Sequence, residues 1–407
     1  MYKLIYLCLW LKFISISSNI PENEFIIPVN FTIIGSACDI KFEIGTPFKL
    51  KSFEIDLMIP FNFISGTYIN RRESSTHEIK EHKIIKYRTS QKLNYDLITD
   101  IISVGNDFIL ESFPFYYTEE FTLNFNKLSL SYHSINSNNN MNLIHRLKSI
   151  NKIKLLAFGF DFLDNKNGLL YLGGLPYNVT RTFQYNISCP ITKTKFNNIE
   201  RAGWEFKINK INFGNITSDY KLNYDKGEYA VFQINTQKVI VSKNFQQILN
   251  NTIFNEMLSN EKCTIEKGTF YKFFLCECDV FENLPNLEVF FGGYGIVIES
   301  HDLIEKHMEK CKFLIEENQD KNNEWILGRV FMSKYKTEFD YDKNQVMFYS
   351  NNNTFLNESL IYDTQFNLNK RSFCILLFIC FGVLLSIGFI YLILSICFRD
   401  KEIEDDS

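Results

Sequence analysis

The feature that most constrains the fold of this 407-residue chain is an ordered series of short motifs between positions 38 and 350. The most specific begins with Trp-Ile-Leu-Gly-Arg-Val-Phe at 325–331 and continues to Val-Met-Phe-Tyr at 346–349. Any single motif could arise by chance, whereas an ordered series is far more informative. The other members are Ile-Gly-Thr-Pro at 44–47, Ile-Lys-Tyr-Arg-Thr-Ser at 85–90, Phe-Asn-Lys-Leu-Ser-Leu-Ser-Tyr at 125–132, Gly-Leu-Leu-Tyr-Leu-Gly-Gly at 168–174 and Trp-Glu-Phe at 204–206.

In order and spacing, these motifs resemble the landmarks of the pepsin-like aspartic proteases, especially membrane-anchored, plasmepsin-like members. The 325–349 segment resembles the family's W-I-L-G-D-x-F motif and the residues after it, and 44–47 resembles the I-G-T-P that opens the first lobe. The resemblance implies a mainly β, bilobal fold in which two six-stranded-type β lobes flank a cleft. It also implies an N-terminal arm at 19–37, an N-lobe at 38–188 and a C-lobe at 189–350.

The family carries the tripeptide D-T-G once in each lobe, and this chain departs from it in both places. In the first lobe, D-T-G-S-S-N-L-W corresponds to Asp-Leu-Met-Ile-Pro-Phe-Asn-Phe at 56–63, so Asp56 keeps the first catalytic position. In the second lobe, A-I-V-D-T-G-T-S corresponds to Ala-Val-Phe-Gln-Ile-Asn-Thr-Gln at 230–237, so Gln233 replaces the second aspartate. The chain therefore retains one of the two carboxylates that the resemblance implies.

The loss of the second carboxylate bears directly on activity. Two close carboxylates share one proton because both cannot ionise cheaply, and this lets one act as base and the other as acid. The amide of Gln233 forms hydrogen bonds but does not titrate near physiological pH. We therefore expect a pseudoprotease that binds a peptide or protein partner without cutting it.

The alternative is an active aspartic-type endopeptidase with an atypical site, in which Asp56 acts with another residue. A shifted register would offer Asp225 as the second catalyst. That register is not favoured, because Asn-Tyr-Asp-Lys-Gly at 223–227 lacks the apolar strand that should precede such a loop.

The neighbours of the catalytic positions have changed as well. In the family, both threonine hydroxyls form hydrogen bonds across the lobe interface, and here these positions hold Leu57 and Ile234. The following glycines, which permit unusual backbone shapes, are replaced by Met58 and Asn235. We therefore expect this supporting shell of threonine hydrogen bonds to be absent.

The flap motif keeps Tyr87 as a candidate binding residue but loses both family glycines. Bulky side chains thus replace small ones on the loop and on the flap. We expect them to narrow the cleft, the candidates being Met58, Phe61, Phe63 and Arg88.

Both ends of the chain carry apolar segments. Residues 1–18 have a short basic start, an apolar run and small residues, as in a secretory signal peptide. Residues 373–398 contain no charged residue and are long enough to cross a bilayer, which predicts a transmembrane helix after a stalk at 351–372. A glycolipid anchor is not favoured because the chain ends in charges. The expected protein is a single-pass type I membrane protein of the secretory pathway or cell surface, with a cytosolic tail at 399–407.

Six cysteines lie between the two apolar ends, an even number that is typical of oxidised secretory domains. The family resemblance implies a bridge between Cys278 and Cys311 in the second lobe. We further expect Cys263 to pair with Cys276 and Cys38 with Cys189, although six cysteines allow 15 connectivities. A zinc site at Cys276 and Cys278 is not favoured.

Composition argues against other classes of function. The net charge of −4 gives no sign of a nucleic-acid footprint, and no cofactor or metal is expected.

Residues 134–142 are rich in asparagine and predict a surface loop, and 143–150 predict a helix packed on the first lobe. Acceptor sequons for glycosylation occur at Asn30, Asn178, Asn186, Asn215, Asn250, Asn352 and Asn357.

Overall fold

The structure is a computed structural model of the whole chain. It describes residues 25–59, 61–65, 74–86, 92–104, 108–118, 126–132, 142–192, 195–196, 199–200, 203–213, 221–222, 229–267, 271–282, 284–291, 294–318, 324–351 and 355–357. Outside this part lie the predicted signal peptide, transmembrane helix and cytosolic tail, and also Tyr87, Arg88 and Asp225. In the described part, no helix combines the length and apolar character needed to span a membrane.

The prediction of a mainly β fold is confirmed, since strands dominate the described residues. The strands of the first half are β1 Ile27–Ile34, β2 Ala37–Ile44, β3 Lys49–Asp56, β4 Phe63–Ser65, β5 Glu78–Lys86, β6 Lys92–Val104, β7 Phe108–Thr118, β8 Lys127–Ser129, β9 Ala157–Phe162, β10 Asn167–Leu172, β11 Tyr185–Pro190, β12 Lys195–Phe196 and β13 Ile199–Glu200. Those of the second half are β14 Glu205–Phe213, β15 Lys221–Leu222, β16 Tyr229–Phe232, β17 Val239–Val241, β18 Cys263–Lys267, β19 Tyr271–Cys276, β20 Leu287–Phe291, β21 Tyr294–Ile298, β22 Ile304–His307, β23 Lys310–Phe313, β24 Ile315–Asn318, β25 Glu324–Leu327, β26 Lys336–Asp340, β27 Gln345–Ser350 and β28 Phe355–Asn357.

Helices are short and connect the strands. They are α1 Leu143–Ser149, α2 Tyr177–Thr180, α3 Lys243–Thr252, α4 Asn255–Ser259 and α5 Arg329–Met332, with 3₁₀ helices at Cys278–Phe281 and Ser300–Leu303. The helix predicted at 143–150 is confirmed as α1. Its N-cap is Asn142, whose side chain accepts a hydrogen bond from the Ile144 N–H.

Two large sheets contain nearly all the strands and form the two lobes. The first runs β11-β27-β26-β9-β10-β1-β2-β3-β8-β4-β7-β6-β5, and β2 also pairs with β6. The second runs β22-β23-β19-β24-β17-β25-β16-β14-β20-β21-β28. Because β26 and β27 come from the end of the chain but pair inside the first sheet, the lobes are connected by a shared sheet. The predicted boundary between residues 188 and 189 falls inside β11.

The same four-strand pattern occurs in both lobes. In the first, β3 pairs in parallel with β8, which pairs antiparallel with β4, and β4 pairs in parallel with β7. In the second, β16, β25, β17 and β24 repeat these relations in the same order. The loops that follow β3 and β16 therefore occupy equivalent places.

The core is formed mainly by alternating strand residues and large aromatic rings. In β1, Ile27, Val29 and Phe31 are buried while Pro28 and Asn30 are exposed, which is the period-two pattern of a strand with one covered face. The Trp204 ring packs on Phe158, Phe339 and Tyr341, with centroids 4.7 to 5.6 Å apart. Phe158 and Phe339 belong to β9 and β26, Tyr341 follows β26 and Trp204 precedes β14, so this cluster packs the shared sheet onto the start of the second lobe.

Residues up to Leu356 form one compact unit, and a second unit runs from Asn357 to the end of the chain. Of the second unit, only Asn357 lies within the described residues.

Two of the three predicted disulfides form, and both lie in the second lobe. They join Cys263 to Cys276, across the pair β18–β19, and Cys278 to Cys311. Since Cys276 and Cys278 are both bonded, neither offers a thiolate to zinc.

The third predicted disulfide is wrong, because Cys38 and Cys189 are separate buried thiols. Six strand-to-strand steps separate β2 from β11 in the first sheet. Each step is about 4.8 Å, whereas a disulfide tolerates a Cα–Cα distance of only about 7 Å.

Candidate active site

Asp56 is the last residue of β3 and lies opposite Ser129 in the parallel pair β3–β8. The N–H of Leu130 donates to the Asp56 backbone carbonyl at 2.8 Å, which extends this pairing by one residue. The side chain points into the protein, because only 4% of the residue is exposed. The strand pairing therefore fixes the position of the retained carboxylate.

Both oxygens of the Asp56 carboxylate have partners within the first lobe. Oδ1 accepts hydrogen bonds from the N–H groups of Met58 at 2.8 Å and Ile59 at 2.9 Å, which closes a tight turn after β3. Oδ2 lies 3.5 Å from the Nζ of Lys127. The carboxylate is thus bound by its own loop on one side and by an ammonium group on the other.

Lys127 belongs to β8 and lies opposite Glu54 in the register of β3 and β8. Its Nζ is 2.6 Å from Glu54 Oε1, and its side chain is only 10% exposed. Buried charges are costly unless they are paired, so one ammonium here compensates the charge of two carboxylates. In the family's pair of aspartates, the two carboxylates share one proton, whereas here two carboxylates face one ammonium group.

Gln233 follows β16 directly and is half-buried. Its N–H donates to the carbonyl of Leu327 at 3.1 Å, and the parallel pair β16–β25 ends with Phe232 opposite Leu327. Continuing that register by one residue brings Gln233 opposite Gly328, just as Asp56 lies opposite Ser129. The topology thus puts an amide in the second lobe where the first lobe has its carboxylate.

The threonine positions hold the aliphatic Leu57 and Ile234, so the family's threonine hydrogen bonds are absent, but Asn235 connects the β16 loop to the first lobe. The Nδ2 of Asn235 donates to the carbonyl of Ile55 at 2.6 Å, and its Oδ1 accepts from the N–H of Cys38 at 3.2 Å. An asparagine amide both donates and accepts, so it can satisfy a carbonyl and an N–H together. The connection has moved from the threonine position to the residue after it, and it brings the loops of Asp56 and Gln233 together.

Arg329, the first residue of α5, makes a second connection between the lobes. Its Nη1 donates to the carbonyls of Ser36 at 2.5 Å and Ile234 at 3.2 Å, and its Nη2 donates to Gly35 at 3.2 Å. The residue is 6% exposed and stands where the family motif has an aspartate. Its guanidinium therefore binds the β1–β2 turn of the first lobe to the Gln233 loop of the second.

Cys38 lies at the centre of these contacts but is not a nucleophile. Burial raises the pKa of its thiol to about 12, although the neighbouring Arg329 guanidinium opposes the shift. At physiological pH the group is a neutral thiol, and its Sγ lies 3.6 Å from the carbonyl of Ile234. The thiol therefore packs and donates weakly at the interface between the lobes.

Met58 makes an apolar contact between the loops. It is partly buried and packs against the small cluster of Val231, Ile240 and Ile326 around the Gln233 loop. A side chain thus fills space beside the catalytic positions where the family has a glycine, as expected for a narrowed cleft. Phe63 behaves differently, since it is 5% exposed and packs inside the first lobe.

Phe61 is held in the same aromatic group of the first lobe. Its ring contacts those of Phe63 and Tyr116, with centroids 5.6 and 4.9 Å away. Met58 makes a contact between the lobes, while Arg88 lies outside the described residues.

A cavity of about 660 Å³ lies next to Arg329. Its lining includes Ile33 and Phe162 from the first lobe and Glu299 and Lys334 from the second. Neither Asp56 nor Gln233 takes part in it, so this space is separate from the candidate active site.

Sequence reasoning missed three residues that shape the site, namely Lys127, Asn235 and Arg329. Two of them carried a visible signal. Lys127 puts a charge into an otherwise uncharged motif, and Arg329 reverses the charge of the family's aspartate. Asn235 gave none, because a replaced glycine does not reveal where the new side chain will bind.

Comparison with known proteins agrees with this geometry. The family model described as "Eukaryotic aspartyl protease" matches residues 63–350. Plasmepsin VII of Plasmodium berghei (strain Anka) is 24% identical over 228 residues, 53% of this chain and 47% of that protein, so the match spans about half of this curated relative. The crystal structure of the aspartic proteinase from Irpex lacteus superposes with a TM-score of 0.62 at 12% identity, covering 81% of this chain and 99% of that one.

The solved structure supports the fold alone at such low identity, and that fold is the pepsin-like, bilobal one. The family model covers well over half of the chain, and the order of the motifs agrees with it. The chain belongs to the eukaryotic aspartyl protease family, as a plasmepsin-like member with a pepsin-like fold.

Proposed function

We propose that this protein is a membrane-anchored pseudoprotease that binds a peptide or protein partner in its cleft and does not cut it. The observation that carries the proposal is the state of the retained carboxylate. Asp56 is bound by two N–H groups and faces Lys127, while its equivalent in the other lobe is Gln233. A carboxylate held in this way lacks the acid partner that proton transfer to a substrate requires.

The chemistry of the neighbours supports this proposal. Aspartic proteolysis needs one group that takes a proton from water and another that gives a proton to the peptide carbonyl. The amide of Gln233 can do neither, and the buried Lys127 is already engaged by Glu54. Because catalytic groups act as a unit, removing one of them removes most of the rate enhancement.

The backbone of the first lobe supports binding of an extended peptide. β5 forms one edge of the first sheet, and its residues precede the flap position Tyr87 directly. An edge strand carries unpaired N–H and C=O groups, to which a peptide can add as a further strand. Such binding needs main-chain hydrogen bonds and no catalytic group.

The proposal includes the topology inferred from sequence. An N-terminal signal peptide and a transmembrane helix at 373–398 would put the lobes in the lumen or outside the cell, with a short cytosolic tail. Two second-lobe disulfides and exposed sequons at Asn30, Asn178 and Asn186 are compatible with that compartment.

Peptide retention tests the binding function. The full chain in detergent micelles is mixed with a peptide library between about pH 4 and 7, and retained peptides are identified by mass spectrometry. We expect intact peptides to be retained, and the variant Gln233→Trp to lose them because the bulky ring fills the cleft. The matched variant Gln247→Trp, on an exposed position of α3, should behave as the parent. Retention unaffected by Gln233→Trp would overturn binding in the cleft.

A further inference from the structure

A second group of charges lies in the second lobe, outside the candidate active site. Glu316 of β24 is fully buried, and two lysines share one of its oxygens. The Nζ of Lys238 is 2.6 Å from Oε1, and the Nζ of Lys312 is 2.9 Å from the same atom. One carboxylate therefore faces two ammonium groups.

This arrangement is unfavourable when all three side chains are charged. Two cations and one anion leave a net positive charge in a region with little water, and the release of one proton would remove it. The other contacts distinguish the two lysines. Lys312 lies over the ring of Phe273, 3.9 Å from its centroid, and the face of an aromatic ring attracts an ammonium group.

Lys238 has no comparable contact among the described residues. Burial lowers the pKa of its amine, and neighbouring Lys312 lowers it further, whereas Glu316 opposes both effects. Its side chain is also the more accessible of the two, at 28% exposed against 13% for Lys312. Lys238 is therefore the lysine that combines loss of a proton with access from solvent.

We propose that Lys238 is a nucleophilic amine and a site of covalent modification by activated acyl donors and aldehydes. With an acyl donor, the amine nitrogen attacks the carbonyl, an amide bond forms, the carboxylate leaving group departs and a proton goes to solvent. With an aldehyde, the same attack gives an imine and one water. Both reactions need the neutral amine, which is why the arrangement around Glu316 favours them.

The chain supplies a matched reference in Lys272. Its side chain is 30% exposed, and its Nζ lies 3.1 Å from both oxygens of the buried Glu317. Among the described residues, no second lysine shares that carboxylate. The two lysines thus match in exposure and in having a buried glutamate, and differ in the additional cation.

Competitive labelling with acetic anhydride tests the proposal. The full chain is treated with trace reagent from about pH 6 to 10, and acetylation at each lysine is quantified by mass spectrometry. Each unit by which the pKa of Lys238 is lowered gives about tenfold more neutral amine near neutral pH, so we expect Lys238 to react several-fold faster than Lys272 there. The rate of Lys238 should also level off at a pH below the ordinary pKa of a lysine amine. Equal or slower reaction of Lys238 would overturn the proposal.

The variant Lys312→Met tests the cause. Without the second cation, Glu316 should hold the Lys238 ammonium, and acetylation of Lys238 should fall to the rate of Lys272. An unchanged rate in a folded variant, checked by near-UV circular dichroism, would contradict the role of Lys312. If the variant does not fold, the pH profiles of the parent protein still decide whether Lys238 is reactive.

Discussion

The loops that follow β3 and β16 occupy equivalent places in the two lobes, yet they depart from the family's D-T-G motif in different ways. The β3 loop keeps Asp56 and surrounds it with backbone donors and Lys127. The β16 loop gives up the carboxylate for Gln233 and uses Asn235 to hold the lobes together. One loop keeps the family's carboxylate and binds it within the first lobe, and the other loop connects the two lobes through Asn235.

This difference shows that the fold does not depend on the residues of the family's D-T-G motif. Strand pairing and aromatic packing position both loops, and the parallel pairs β3–β8 and β16–β25 persist in either case. Polar contacts still join the lobes beside the two catalytic positions. Asn235 and Arg329 supply these contacts from new positions.

The largest expected loss of stability comes from the ion cluster of the first lobe, which Lys127 forms with Glu54 and Asp56. Lys127→Met removes the ammonium group that faces the half-buried Glu54 and the buried Asp56, and removal of one partner of a buried pair costs about 3–5 kcal/mol. Urea unfolding at pH 7 measures the loss.

The control for this change is Lys80→Met, whose lysine pairs with Glu78 at an exposed site. It should change stability by less than about 0.5 kcal/mol. A Lys127→Met protein as stable as this control would show that the cluster around Asp56 is not an energetic feature of the first lobe.

Arg329→Met tests the hydrogen bonds that the Arg329 guanidinium donates between the two lobes. The change leaves the buried carbonyl of Ile234, and the carbonyls of Gly35 and Ser36 in an exposed turn, with one donor fewer, and a hydrogen bond to a charged group is worth about 1.5–3 kcal/mol. We expect a total loss of about 2–4 kcal/mol in urea unfolding, because the removed charge no longer has to be buried. Arg146→Met, which removes a single bond to the Glu111 carbonyl, is the matched control and should cost far less.

Asn235→Ala removes only two hydrogen bonds between the loops. The expected loss is about 1–3 kcal/mol, since the carbonyl of Ile55 and the N–H of Cys38 lose their partners. Hydrogen exchange measures the effect locally, as faster exchange of the Cys38 amide. Protection of that amide equal to the parent's would mean that Asn235 does not hold the lobes together.

The smallest expected change in stability comes from Glu338 of β26, in the sheet that both halves of the chain share. Burial raises the pKa of Glu338, and Asp340 raises it further, while the N–H of Leu175 opposes the shift. An acid with a raised folded pKa contributes stability below its unfolded pKa and loses it as pH rises through the folded value. Glu338→Gln should therefore raise the melting temperature at pH 7 and have little effect near pH 4. A lowered melting temperature at pH 7 would contradict this sign.

Much of the fold was predictable from the sequence because the motifs fix both strands and their order. The mainly β class, the two second-lobe disulfides and the helix at 143–150 followed from residue patterns that act locally or from the family resemblance. The pairing of Cys38 with Cys189 failed because cysteine counting does not reveal that β2 and β11 lie far apart in one sheet.

For the site, sequence comparison predicts which family residues are missing but not which contacts replace them. Comparison with D-T-G identifies the missing carboxylate, threonines and glycines directly. The gains are contacts between distant parts of the chain, such as Lys127 with Asp56 and Asn235 with Ile55. A substitution in a motif shows that the old contact has gone, but only the tertiary structure shows what the new side chain reaches.

The central claim is that Asp56 no longer serves catalysis, and peptide cleavage tests it most directly. The purified full chain and its Asp56→Ala variant are incubated with a peptide library from about pH 4 to 7, and products are identified by mass spectrometry. The account predicts no cleavage by the parent above the level of the variant at any pH, from protein that is folded by circular dichroism. Cleavage by the parent that disappears in Asp56→Ala would contradict it and establish an active protease with an unconventional site.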